Sequence, residues 1–237
     1  MSTNTPFTKE NLDNCLKELA KEFRKLNGTK VPAEIILIGG ASILANYGFR
    51  EMTYDMDAIV SASPAMKEAI NYVGDKFGLP NGWLNTDFVR TKSYTPKLAE
   101  FSAYYKTFSN ILTVRTVSSE YLIAMKLMAG RKYKNDLSDI VGILWEHQKN
   151  DSNITRDAID KAVTGLYGGW DDVPTDSKAF IDAVFVDGDY EILYKKSRES
   201  ELQSRDILLE FEEQYPDVTN MDNADAILEM ARRRKKE

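Results

Sequence analysis

Cysteine and histidine each occur once in this 237-residue chain. Cys15 alone excludes an intramolecular disulfide framework and any cysteine-rich zinc site. His147 alone cannot furnish histidine-rich metal coordination, and a Ser–His–Asp or Cys–His nucleophile system would have to pass through it. It stands among polar Glu146, Gln148, Lys149 and Asn150, which suits an exposed residue near a helix end. No apolar run approaches the ~18 residues a membrane span needs. The opening Met1–Phe7 lacks the charged and apolar regions of a signal peptide, so a cytoplasmic protein without a membrane partner is expected. Neither a Gly-x-Gly-x-x-Gly dinucleotide fingerprint nor a Gly-x-x-x-x-Gly-Lys-Ser/Thr phosphate loop is present. Chemistry must then rest on carboxylates, cations and a hard metal ion.

What is present can bury a core: 43% of residues are hydrophobic and 29% charged,. The formal net charge of −6 is unevenly spread. Residues 1–150 hold 19 Lys/Arg and 16 Asp/Glu, a net of +3, whereas residues 151–237 hold 12 and 21, a net of −9. Within the first part, residues 90–134 hold nine cations against Glu100 and Glu120. A local excess of that sign on an acidic protein suits a phosphate-bearing ligand or an ordinary solvated face. The terminal run Arg232–Lys236 fits a cationic last turn facing a helix dipole more simply than a nucleic-acid contact.

The pattern predicts an alternating front half and a helical back half, an α+β chain with a boundary near residue 150. Thr8 caps a helix over 9–26, with Leu12, Leu16, Leu19 and Phe23 at helical spacing,. Short aliphatic Glu34–Ile38 reads as a buried strand, Ala41–Tyr47 as a short helix, and Thr53–Val60 as a second strand. A helix over 64–77 follows. Residues 83–90 and 98–117 supply two or three more strands, and helices over 119–129 and 135–146 close this part. Beyond it lie acidic helices near 154–166, 175–185, 191–213 and 223–236. Asp187-Gly188-Asp189 is a turn, since glycine separates the acids.

The constellation that carries chemistry lies between residues 35 and 57. A buried strand delivers the chain to Gly39-Gly40, and a helix begins at once. Glycines let the backbone approach a ligand, and free amides at a helix start favour phosphate. Ser42 can add a hydroxyl. The next strand presents Asp55 and Asp57, and side chains two apart leave a strand on the same face. Two converging carboxylates call for a hard divalent cation with oxygen ligands, usually Mg²⁺.

Gly39-Gly40-Ala41-Ser42 followed by Asp55-Met56-Asp57 resembles the signature of the polymerase-β-like nucleotidyltransferase superfamily. A second block, Lys126…Arg131…Asp136-x-x-Asp139, is similar to that of AbiEii-type toxin nucleotidyltransferases of type IV toxin–antitoxin pairs. The two blocks cover roughly residues 31–145. The resemblance implies a mixed β-sheet core flanked by helices in a catalytic domain over 1–150, while the acidic helical region over 151–237 is read from its residues alone and resembles no family. It further implies Mg²⁺-dependent transfer of an NMP from an NTP to a hydroxyl on tRNA or protein, with a cognate antitoxin as a partner. On this reading Asp55 and Asp57 bind metal. Gly39, Gly40 and Ser42 hold phosphates, while Lys126 and Arg131 neutralise charge. Asp136 and Asp139 support those cations or form structural ion pairs. The third carboxylate expected of the family is Asp87, with Glu100 in reserve. Two rival readings keep the fold: a non-catalytic binding module, and an antibiotic-modifying enzyme acting on a small molecule. A metal-dependent phosphohydrolase fits less well, because it lacks the histidines.

Overall fold

The computed structural model describes residues 6–220 and 223–234. The chain divides into two compact units, one of Met1–Met125 with Asp157–Trp170, the other of Lys126–Arg156 with Asp171–Glu237. Two helices, α4 (Ser119–Ala129) and α6 (Arg156–Tyr167), carry the boundaries within them.

The first unit begins with β1 (Phe7–Thr8) and α1 (Lys9–Asn27). Thr8 forms a capping box: its hydroxyl accepts from the Asn11 N–H, and its own N–H donates to the Asn11 side-chain oxygen at 2.8 Å. Gly28 ends the helix at φ 72°, its N–H donating to the Arg24 carbonyl. The leucine stripe and Phe23 pack onto β2 (Ala33–Leu37), β4 (Met56–Ser61) and α3 (Ala65–Phe77) in one continuous core. Each such side chain contributes roughly 1.5–3 kcal/mol on burial.

Five strands form a mixed sheet in the order β5 (Leu84–Asn85), β4, β2, β7 (Leu112–Val117), β6 (Ser102–Phe108). β2 runs antiparallel to β4 and parallel to β7, so it is the sheet's central strand and its Ile35 and Leu37 are wholly buried. From its end the chain passes directly into α2 (Gly39–Asn46).

The second unit is helical. α5 (Asp136–Lys149) packs along α8 (Tyr190–Gln214), and α7 (Thr175–Asp187) reaches α8 through the turn at Gly188. Leu208 of α8 meets Ala224, Ile227 and Leu228 of α9 (Ala224–Arg234). Asp189 caps α8 by accepting from the Ile192 N–H.

The α+β class is the one expected, with helices making up the C-terminal part. Three local features differ from the sequence reading. The strand expected over Thr53–Val60 is two strands: β3 (Met52–Thr53) pairs with β1, and β4 joins the main sheet, with Tyr54–Asp55 passing between. The helix after Gly39-Gly40 includes the glycines instead of starting at Ala41. Residues 83–90 hold only the short β5 and then a 3₁₀ turn over Asp87–Arg90, because the Asn85 side chain accepts from the Asp87 N–H and diverts the chain,. His147 lies in the last turn of α5, its Nδ1 3.0 Å from the Ser152 carbonyl oxygen. Of the terminal cationic run, Lys235 and Lys236 lie outside the described residues, as do Met1–Thr5. No helix among the described residues is long and apolar enough to cross a membrane.

Removing the α1 cap tests this account of the first unit. Thr8→Ala is expected to cost about 1 kcal/mol, lowering the melting temperature by about 2–4 °C in a chain of this size. An unchanged melting temperature in calorimetry would show the box to be energetically idle.

Candidate functional site

Antiparallel pairing sets Leu37 opposite Ala58, and the next bond along runs from the Ile38 N–H to the Asp57 carbonyl at 2.9 Å. The end of β2 and the start of β4 are therefore adjacent, and α2 departs from beside Asp57. Met56 and Ala58 are buried while Asp57 between them is half-buried, so Asp57 leaves β4 on the face away from the core, and Asp55 is exposed,. Asp55 lies one residue ahead of β4 and not within it.

Gly39 adopts φ +53°, the left-handed conformation that turns strand into helix within one residue,. At Gly40 the requirement is space. A Cβ there would fall 2.7 Å from Thr53 Oγ1 and 2.8 Å from an Arg50 Nη atom. Ile38 offers no side-chain cap, and the first turn of α2 holds no acidic residue. Its leading amides have no acceptor inside the helix, an arrangement that favours an anion at a helix start. Ser42, one turn in, is wholly buried and its hydroxyl has no hydrogen-bond partner among the described residues.

Asp87 does not join the two acids as a strand-borne third carboxylate. It is exposed on the 3₁₀ turn, and Asn85 is the residue β5 sets opposite Asp57. Glu100 is exposed at the end of a second 3₁₀ turn, Pro96–Ala99. Among the described residues no group of three His, Cys, Asp or Glu side chains is arranged to hold a metal. The oxygen-only pair still fits Mg²⁺, which typically uses one or two carboxylates and completes its shell with water and substrate phosphate.

The second block is brought together within the second unit. Lys126 Nζ lies 2.7 Å from Asp136 Oδ1 and 2.9 Å from Asp139 Oδ2. Arg131 engages Asp136 with both Nε, at 2.8 Å, and an Nη atom, at 3.2 Å. Asp136 is fully buried and Lys126 only 6% exposed. Burial alone would raise the Asp136 carboxyl, but the charges and hydrogen bonds of Lys126 and Arg131 hold it well below the usual carboxylate range,. Both acids sit in the first turn of α5, at the favourable end of its dipole,.

A family model described as "Nucleotidyltransferase of unknown function (DUF6036)" matches residues 14–148. The chain belongs to this nucleotidyltransferase family. No curated protein and no solved structure matches the chain. The family match spans the glycine turn, the acidic pair and the Lys126–Asp139 block, and it stops before α6.

Three residues of consequence in this family member escaped the sequence reading. Arg50 and Thr53 flank Gly40, and Thr53 also donates to the Asp55 carbonyl at 3.2 Å. Their signal was their place between the glycine turn and the acids. Glu201 of α8 accepts from the Leu137 and Ser138 N–H groups and from the Ser138 hydroxyl, so it caps α5 from another helix. Its spacing with Ser204 and Leu208 marks the inward stripe of α8. Burial pushes its carboxyl up to about 7, and neighbouring Asp139 pushes the same way against the donors from Ser138.

Lys126→Met keeps bulk but leaves buried carboxylates short of a cation. It is expected to cost about 3–5 kcal/mol in urea unfolding, partly restored by adding Asp139→Asn. A loss below 1 kcal/mol would mean that the cluster contributes little. Glu201 gives a pH test. The native state holds its proton more tightly than the unfolded chain, so its contribution is full below about 4.5 and is lost as pH rises through about 7,. The stability of wild type relative to Glu201→Gln should fall by about 3 kcal/mol between pH 4.5 and 8. Parallel stability curves for the two proteins would refute the shift.

Proposed function

We propose that the protein is a Mg²⁺-dependent nucleotidyltransferase that moves an NMP from an NTP to a hydroxyl on tRNA or protein, in the manner of AbiEii-type toxins. The carrying observation is the β2–β4 register, which lays the acid-bearing start of β4 beside the uncapped first turn of α2. Family membership supports the transferase class.

Asp55 and Asp57 would hold the metal, which when bound supplies positive charge at the phosphate oxygens. The amides of Gly39 and Gly40 orient the β- and γ-phosphates, with the positive end of the α2 dipole behind them. The acceptor oxygen bonds to the α-phosphorus, the α–β bridging bond breaks, and pyrophosphate leaves in line with the attack. Ser42 reaches a phosphate only if the first turn of α2 shifts, since its hydroxyl is buried. Lys126 and Arg131, the cations proposed to neutralise phosphate charge, are both engaged by Asp136, and Arg131 is the more exposed of the two. A cognate antitoxin would complete the toxin role.

One observation favours a second reading, a non-catalytic module that keeps the fold: no third acidic group joins Asp55 and Asp57 among the described residues. Incubation with each α-labelled NTP, Mg²⁺ and whole-cell extract separates the two. Wild type should transfer label to RNA or protein, and Asp55→Ala or Asp57→Ala should reduce transfer to background with the fold intact. Both variants transferring at the wild-type rate would sink the mechanism. Absence of transfer, with no rise in melting temperature on adding Mg²⁺ and NTP, would establish the second reading.

A further inference from the structure

Gly40 has no side chain, and the space this leaves is filled by a cation. The Arg50 guanidinium packs against the second residue of α2, with Nη2 2.8 Å and Cζ 3.1 Å from the point where a Cβ would stand. Its Nε donates to the Met52 carbonyl at 3.1 Å, which fixes the plane of the fork, and the side chain is half-buried. A cation at the positive end of a helix is opposed by the dipole. The arrangement becomes favourable when anionic charge shares the locus. The phosphates of a nucleotide would add such charge.

We propose that Arg50 is a phosphate-binding residue of this site, contacting the β- or γ-phosphate of the nucleotide over the glycine turn. The proposal rests on the nucleotidyltransferase reading and extends it. Three features converge on one locus: the leading amides of α2, which have no acceptor inside the helix, a glycine that admits the guanidinium to the helix backbone, and a carbonyl that orients it. A guanidinium fork matches two phosphate oxygens at once, which a lysine ammonium cannot reproduce. Thr53, buried beside the same glycine, donates its hydroxyl to the Asp55 carbonyl.

The test measures binding of inorganic tripolyphosphate and of each NTP, with Mg²⁺, to the full chain by calorimetry at several salt concentrations. Wild type should bind tripolyphosphate. Arg50→Gln should weaken that binding by about tenfold or more and flatten its salt dependence, with the melting temperature little changed. Arg50→Lys, which keeps the charge without the fork, should weaken binding by about threefold or more, and it serves as the deciding variant if Arg50→Gln does not fold. Wild-type affinity in the deciding variant overturns the role of Arg50 and leaves the nucleotidyltransferase reading standing. Weaker binding with an unaltered salt dependence in Arg50→Gln also overturns it, because Arg50 would then only shape the turn. Absence of tripolyphosphate and NTP binding in wild type overturns both.

Discussion

The hydrogen bond from the Ile38 N–H to the Asp57 carbonyl is the constraint on which the rest of the candidate site depends. It is the last bond of the β2–β4 ladder, and it closes at the residue where strand gives way to helix. Side chains alternate across a sheet with a period of two, so a slip of one residue would turn Asp57 into the core and bring Met56 and Ala58 out. The buried aliphatic face of β4 therefore selects the register, and the register delivers the carboxylates. Packing energy far larger than any single polar contact enforces the geometry of a polar site.

The second unit solves a different electrostatic problem. Lys126, Arg131, Asp136 and Asp139 place two cations and two carboxylates in a largely buried cluster, where each charge must find an opposite or cost several kcal/mol,. Asp136 is shared between both cations, and Lys126 also serves Asp139, so loss of Lys126 leaves two carboxylates short of charge. Glu201 adds a further carboxylate at the same helix start, and its elevated proton affinity reflects burial together with the neighbouring Asp139. The amides of the first turn of α5 soften that crowding by donating to it.

Local signals made much of this legible. The Thr8 box and the leucine stripe fix α1 almost to the residue, because a cap and a helical period lie within a few positions of one another. The glycine turn and the paired acids are likewise short-range patterns, as is the Lys126–Asp139 block that resembles a known family. What escaped depends on contacts between distant segments. Nothing near Tyr54 announces that the chain leaves one sheet for another there, since pairing of β3 with β1 is settled 45 residues away. Asp87 falls on a 3₁₀ turn because one asparagine side chain intercepts one amide. Glu201 looks like any helical glutamate until α5 is packed against it.

Burial separates two acidic motifs that look alike on paper. Asp55-x-Asp57 and Asp136-x-x-Asp139 both pair carboxylates within a turn or so of chain, and both have cations nearby. Asp136 and Asp139 are buried and commit their oxygens to Lys126, Arg131 and backbone donors. Asp55 is exposed and Asp57 half-buried, on a face the core does not cover. A carboxylate sealed into an ion cluster is poorly placed to exchange ligands during turnover, because each exchange would first strand a buried charge. A carboxylate less buried than Asp136 and Asp139 carries a smaller penalty,. The same physics that commits the second pair to holding α5 in place leaves the first pair better suited to the metal-binding role proposed for it.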